Sequence, residues 1–139
     1  MSFVLDNSIA MRWCFETEAH PYADGILRMI AAGTTAFVPI LWFYEASAVI
    51  ARAQIKESLA ASKAEEILVE LQSLSIVADE EGAARAFTDV HRLAVAYRLT
   101  SYDAAYLELA MRRNLPLASL DSDLVRAAKS AGLQLVEES

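Results

Sequence analysis

The sequence predicts an α/β fold, a three-layer α/β/α sandwich around a central, mainly parallel five-stranded sheet. Short apolar, partly β-branched runs alternate along the chain with longer segments of helical periodicity. Parallel strands need crossovers, and helices supply them. With 139 residues, 55% of them hydrophobic, and only 4 glycines and 3 prolines, the chain can bury one core and fits a single domain over residues 1–139.

Ser2 to Leu5 is a buried first strand that ends at Asp6. Asn7 and Ser8 can cap the next helix, which carries Ile9, Met11, Arg12, Trp13 and Cys14. A second helix runs from Pro21, a favoured first-turn residue, to Ala32, where Gly33 stops it. Its apolar residues Tyr22, Ile26, Met29 and Ile30 recur at helical spacing. Ala36-Phe37-Val38 is the second strand, followed by Pro39. Helices are expected over Ile40 to Gln54 and Ser58 to Ser73, a pair that can project as a hairpin. Ser75 to Ala78 is the third strand, and helices follow from Asp79 to Arg98 and from Tyr102 to Arg113. Pro116 to Ser119 is the fourth strand, Ser122 to Ala131 the last helix, and Leu133 to Val136 a fifth, terminal strand.

The net charge of −7 argues against a protein that grips nucleic acid by bulk positive charge. A nuclease whose metal ion supplies the positive charge at the phosphate remains compatible with it. Asp6 interrupts the first apolar run, so no secretory signal is expected. The longest apolar stretch, Ala36 to Tyr44, is too short to span a bilayer and contains Pro39, so no membrane association is expected. Cys14 is the one cysteine, which leaves no internal disulfide and no cysteine-only metal cage and points to the reducing cytoplasm.

In open α/β sheets, ligands bind beyond the carboxyl ends of the strands. Asp6 directly follows the first strand, and Asp121 follows the fourth. Asp103 sits at the start of a helix after Leu99-Thr100-Ser101-Tyr102, and Glu45 lies about a turn inside the helix after the second strand. Each has a plainer reading. Asp6 and Asp121 fit helix caps, and Asp103 fits a first-turn acid that answers the helix dipole. Glu45 is harder to explain that way, because the residues from Ile40 to Ile50 are apolar almost all round and no lysine or arginine lies within one turn. A buried carboxylate is costly unless paired or metal-bound. Taken together, four clustered acids repel one another unless a cation neutralises them. Hard oxygen ligands without nitrogen or sulfur favour Mg²⁺ or Mn²⁺. Such a site can activate water and stabilise the leaving oxygen of a phosphodiester.

Four stretches in order resemble a PIN-domain protein, and within that group a VapC-type toxin of a toxin–antitoxin pair. They are Val4-Leu5-Asp6-Asn7-Ser8, Pro39-Ile40-Leu41-Trp42-Phe43-Tyr44-Glu45, Leu99 to Ala110 and Leu117 to Leu124, and together they span nearly the whole chain. The resemblance implies an acidic metal site of Asp6, Glu45, Asp103 and Asp121, with Ser8 as the hydroxyl residue that supports the first aspartate. Ser101 and Ser119 are candidates for orienting the acids. It further implies an endoribonuclease that cuts RNA with Mg²⁺ or Mn²⁺, forms a homodimer and is covered by a cognate antitoxin.

Arg12, after the first strand–helix turn, is the candidate for phosphate contact. Asp123, His91 and His20 read as surface or locally bonded residues, and Arg112-Arg113 as a dipole-matched helix end. Trp13, Trp42, Phe43 and Tyr44 could stack on bases but fit core or dimer packing better. The main alternative is a catalytically silent PIN-like interaction domain that binds RNA or a protein. A phosphatase or receiver fits poorly, because Ser8 stands where a phosphatase wants a second acid and no lysine follows Ser119.

Overall fold

A computed structural model describes residues 1–15 and 20–137. Its elements are β1 (Ser2–Leu5), α1 (Asn7–Phe15), α2 (Pro21–Ala31), β2 (Thr35–Pro39), α3 (Leu41–Ile55), α4 (Ala61–Ser73), β3 (Ile76–Asp79), α5 (His91–Tyr97), α6 (Ser101–Arg113), β4 (Leu117–Ala118) and α7 (Ser122–Ser130). The strands lie in the order β3-β2-β1-β4, and every pairing is parallel. β1 is central because its residues Phe3, Val4 and Leu5 are wholly buried, as a strand covered on both faces requires. Val4 stands opposite Phe37 on one side and Leu117 on the other.

Helices flank the sheet, as predicted. α6 packs on β1 and β2 and supplies Tyr106, Leu107 and Leu109 to the main core. α2 starts as its sequence dictates: Pro21 fills the first turn, and His20 Nδ1 accepts the Ala23 N–H. Trp13 is pinned across the α1–α2 pair by its Nε1 donating to the Ala23 carbonyl at 2.7 Å. The expected α3–α4 hairpin has its own small core of Ile50, Ala64 and Ile67, with Cys14 packed against it. No helix among the described residues is long and apolar enough to cross a membrane.

Two expected elements differ. The predicted fifth strand is reduced to a single bridge between Leu117 and Leu135. β4 is only two residues long, so the terminal segment finds two backbone hydrogen bonds at Leu117 and no ladder to extend. The helix expected from Asp79 to Arg98 begins regularly only at His91. Asp79 instead closes β3, and the chain then bends through a 3₁₀ turn (Ala83–Arg85) and a π-turn (Ala86–Val90). Gly82 fits inside that bend because a Cβ there would lie 3.3 Å from Asp79 Oδ2.

Arg112 holds this bend rather than only matching a helix dipole. Its Nε and Nη2 donate to Glu108 at 2.7 and 3.1 Å, and its Nη1 and Nη2 to Asp79 at 3.1 and 2.6 Å. The guanidinium of Arg113 stacks on the Phe37 ring at 4.0 Å.

Candidate active site

Because all four strands run parallel, their carboxyl ends share one edge of the sheet. Asp6 leaves β1 there, β2 leads into α3 with Glu45, and β4 leads through Ser119 to Asp121. The order of strands also reverses here, since β2 and β3 extend from one side of β1 and β4 returns to the other. Such a switch point opens a crevice in α/β sheets.

Asp6 is only 5% exposed. Ser8 Oγ and Ser119 Oγ both donate to its Oδ2, each at 2.7 Å. Each serine oxygen in turn accepts a backbone N–H, Leu120 to Ser8 at 2.9 Å and Asp121 to Ser119 at 3.0 Å. Since an ionised carboxylate can only accept, both hydroxyl protons point to Asp6. Two chain segments 113 residues apart are thereby locked on one carboxylate oxygen, and Oδ1 receives no side-chain donor among the described residues. Burial pushes the Asp6 carboxyl up, the serine bonds and the Asn7 N–H pull it back, and the Asp121 charge raises it further; the balance lies above the ordinary range.

Glu45 accepts a 2.6 Å hydrogen bond from the Tyr106 hydroxyl through Oε1. Burial raises its pKa, the tyrosine bond lowers it, and the Asp6 charge raises it again, with a net rise. Asp121 caps α7 by accepting the Leu124 N–H at 2.9 Å, so the plainer reading of this residue holds beside the functional one. Asp103 lies in the first turn of α6, where Thr100 Oγ1 accepts its backbone N–H. Its carboxyl is pushed up to about 6, first by burial and then by the charges of Asp121, Asp6, Glu45 and Asp123. The four candidate acids therefore share one electrostatic neighbourhood.

The remaining candidates are more peripheral. Ser101 opens α6 at the surface, and the helix cap is its neighbour Thr100. Asp123 is exposed and lies 3.9 Å from Arg126. Arg12 Nε is sealed from solvent, and the side chain already engages in an interaction within the protein. Trp42 is core, whereas Phe43 and Tyr44 are exposed. Sequence reasoning assigned no role to Tyr106 and Thr100. Spacing offered a signal for Tyr106: three residues after Asp103 on a helix, it faces the same way, and a buried tyrosine hydroxyl needs a partner.

The donor set suits a hard divalent cation, since every candidate ligand is a carboxylate oxygen. On Asp6, Glu45 and Asp121, one oxygen is held by a protein donor while the other takes no side-chain bond among the described residues. The acids are not a closed cage, because no three of the described His, Cys, Asp and Glu side chains are disposed to hold an ion as they stand.

This arrangement predicts a pH dependence. Asp103 takes up its proton more readily in the fold than in the unfolded chain. Its contribution to stability is thus fully present below about pH 4 and lost as pH rises through about 6. Discounted for partial solvent access, the loss is roughly 1–2 kcal/mol. Denaturant melts of the metal-free protein in EDTA should show this fall, and Asp103→Asn should flatten it. An equal fall in the variant would assign it to other groups.

Comparison with known proteins follows the same outline. A family model described as PIN domain matches residues 3–130. Among solved structures, a protein of Pyrobaculum aerophilum superposes with a TM-score of 0.64 at 21% identity, covering 91% of this chain and 87% of its own. VapBC2 of Rickettsia felis, bound to a DNA fragment from its promoter, gives a TM-score of 0.69 at 13% identity, covering 98% of each chain. A toxin–antitoxin complex of Klebsiella pneumoniae gives 0.57 at 17%, covering 86% of this chain and 87% of that one. Comparison with curated protein sequences gives no match.

Proposed function

Since the chain belongs to the PIN-domain family, we propose that it is a metal-dependent endoribonuclease and acts as the VapC-type toxin of a type II toxin–antitoxin pair. The observation that carries this reading is the convergence of Asp6, Glu45, Asp103 and Asp121, acids from distant parts of the chain: the charge of Asp121 raises the Asp6 carboxyl, that of Asp6 raises Glu45, and all three raise Asp103. Packing alone gains nothing from such a cluster. The four acids would hold Mg²⁺ or Mn²⁺. When bound, the cation neutralises phosphate charge and makes water a better nucleophile.

The chain's own residues prepare the rest. Ser8 and Ser119 fix the rotamer of Asp6, and Ser101 precedes Asp103 in the first turn of α6. Arg12, after the β1–α1 turn, is the candidate for phosphate contact, and the cation would offset the net charge of −7 that otherwise repels the RNA. A cognate antitoxin and a second copy of the chain are the protein partners in this reading. The fold likeness to VapBC2 of Rickettsia felis and to the Klebsiella toxin–antitoxin complex supports the first. Exposed Ile40, Phe43, Tyr44, Phe87 and Tyr102 supply apolar surface for such contacts. An unpaired Cys14 suits the cytoplasm.

Purified protein is expected to cleave RNA with Mg²⁺ or Mn²⁺, to stop in EDTA and to resume when metal is returned. Metal at about a hundred times its Kd should stabilise the fold by roughly 3 kcal/mol, read as a rise in Tm. If saturating metal gave neither cleavage nor a Tm shift, the silent interaction domain would replace this reading. Expression should arrest growth, and the product of the adjacent gene should relieve the arrest.

A further inference from the structure

We propose that Tyr106 is a positioning residue that holds Glu45 ready for the cation, a role that rests on the reading of the four acids as a metal site. Tyr106 is fully buried on α6, and its ring belongs to the main core. Its hydroxyl reaches Glu45 Oε1 on α3 at 2.6 Å, across 61 residues of sequence. That length is typical of a charge-assisted O–H···O⁻ bond. Glu45 starts with three rotatable side-chain bonds, and this contact fixes one oxygen to a ring that cannot move without disturbing the core. The same device recurs at Asp6, where buried or half-buried hydroxyls of Ser8 and Ser119 hold one oxygen only. The acid beyond β1 and the acid beyond β2 are thus each tethered by hydroxyl donors from outside the ligand set. Tyr106 also joins Glu45 to Asp103, because the two residues lie three apart on the same helix.

Loss of such a supporting bond lowers metal affinity by about 10- to 100-fold. Tyr106→Phe keeps the ring and removes only the donor. Metal affinity is read from the Mn²⁺ dependence of Tm and from the free-Mn²⁺ signal in electron paramagnetic resonance, and RNA cleavage is followed in parallel. The expected result is a rise of about tenfold in half-saturating Mn²⁺, with cleavage at saturating Mn²⁺ close to wild type. In a Glu45→Gln background the same substitution should have little further effect, because the bond it removes no longer orients a ligand. A wild-type affinity in Tyr106→Phe overturns the proposal, and so does a loss that persists undiminished in the Glu45→Gln background, which would mark a general packing defect. A measurement that leaves Tyr106 in place covers the case in which Tyr106→Phe does not fold. Mg²⁺ added to the Tyr102→Phe protein should produce a tyrosine ultraviolet difference spectrum with the half-saturation of the Tm shift, and its absence overturns the proposal. Failure of the wild-type protein to respond to metal at all would instead remove the metal-site reading itself.

Discussion

Asp6→Asn is expected to lower RNA cleavage by about 10³-fold or more while leaving the metal-free fold at least as stable as wild type. The rate loss follows from removing one of the charges that would hold the cation, whose stabilisation of transition-state charge amounts to several kcal/mol, at about 1.4 kcal/mol per tenfold. The amide oxygen of asparagine can still accept from Ser8 and Ser119, so the tie between β1 and the β4–α7 turn survives. Stability moves the other way. Burial, together with the charge of Asp121, keeps the Asp6 carboxyl above its ordinary range despite the two serine bonds. Its ionised form at neutral pH therefore opposes folding, and a neutral amide removes that cost. Initial rates with Mn²⁺ and the Tm in EDTA are the two readouts. Undiminished cleavage would remove Asp6 from the site, whereas lost cleavage with a lowered Tm would mean that the variant had merely misfolded.

That combination, an inactive protein that is more stable, expresses what was legible in the sequence. Asp6, Asp121 and Glu45 could be placed on one edge because strand–helix alternation implies parallel strands, and parallel strands put their carboxyl ends together. Glu45 was further marked by its apolar surroundings. The partners were harder to read. Ser119 and Tyr106 reach their acids across 113 and 61 residues, and nothing in periodicity fixes which distant hydroxyl meets which carboxylate. The segment from Asp79 to Val90 has an alanine-rich helical composition, yet the bend after β3 is set by an arginine 33 residues away, so local propensity lost to a tertiary ion pair. The terminal strand failed for a related reason. Its apolar run was read as a fifth strand, but its pairing depended on how few residues β4 itself would contribute.

The ion pair that sets that bend carries the largest expected effect on stability. Arg112→Met should cost about 3–5 kcal/mol, the loss found when one partner of a buried ion pair is removed. For a chain of this size that corresponds to a fall in Tm of roughly 10–20 °C. Asp79 and Glu108 are only 5% and 4% exposed, so without Arg112 they would stand in the interior largely uncompensated. Glu108 keeps a weaker neighbour in Arg85 at 3.9 Å, which makes Asp79 the more exposed to the loss. The pH dependence identifies the cause. Burial alone would raise the Asp79 carboxyl, but the hydrogen bonds and charge of Arg112 outweigh it and hold the folded value below 3.8. In wild type this contribution is present above about pH 4 and lost as pH falls through the lowered value. In Arg112→Met burial is opposed only by the Glu81 backbone N–H and the charge of Arg113, so the deficit should be greatest at neutral pH and shrink on acidification. Adding Asp79→Asn to that background should recover more stability than adding Glu108→Gln. A Tm within about 3 °C of wild type, or a deficit that neither second substitution relieves, would show that β3 and α6 are joined by packing and not by this charge pair.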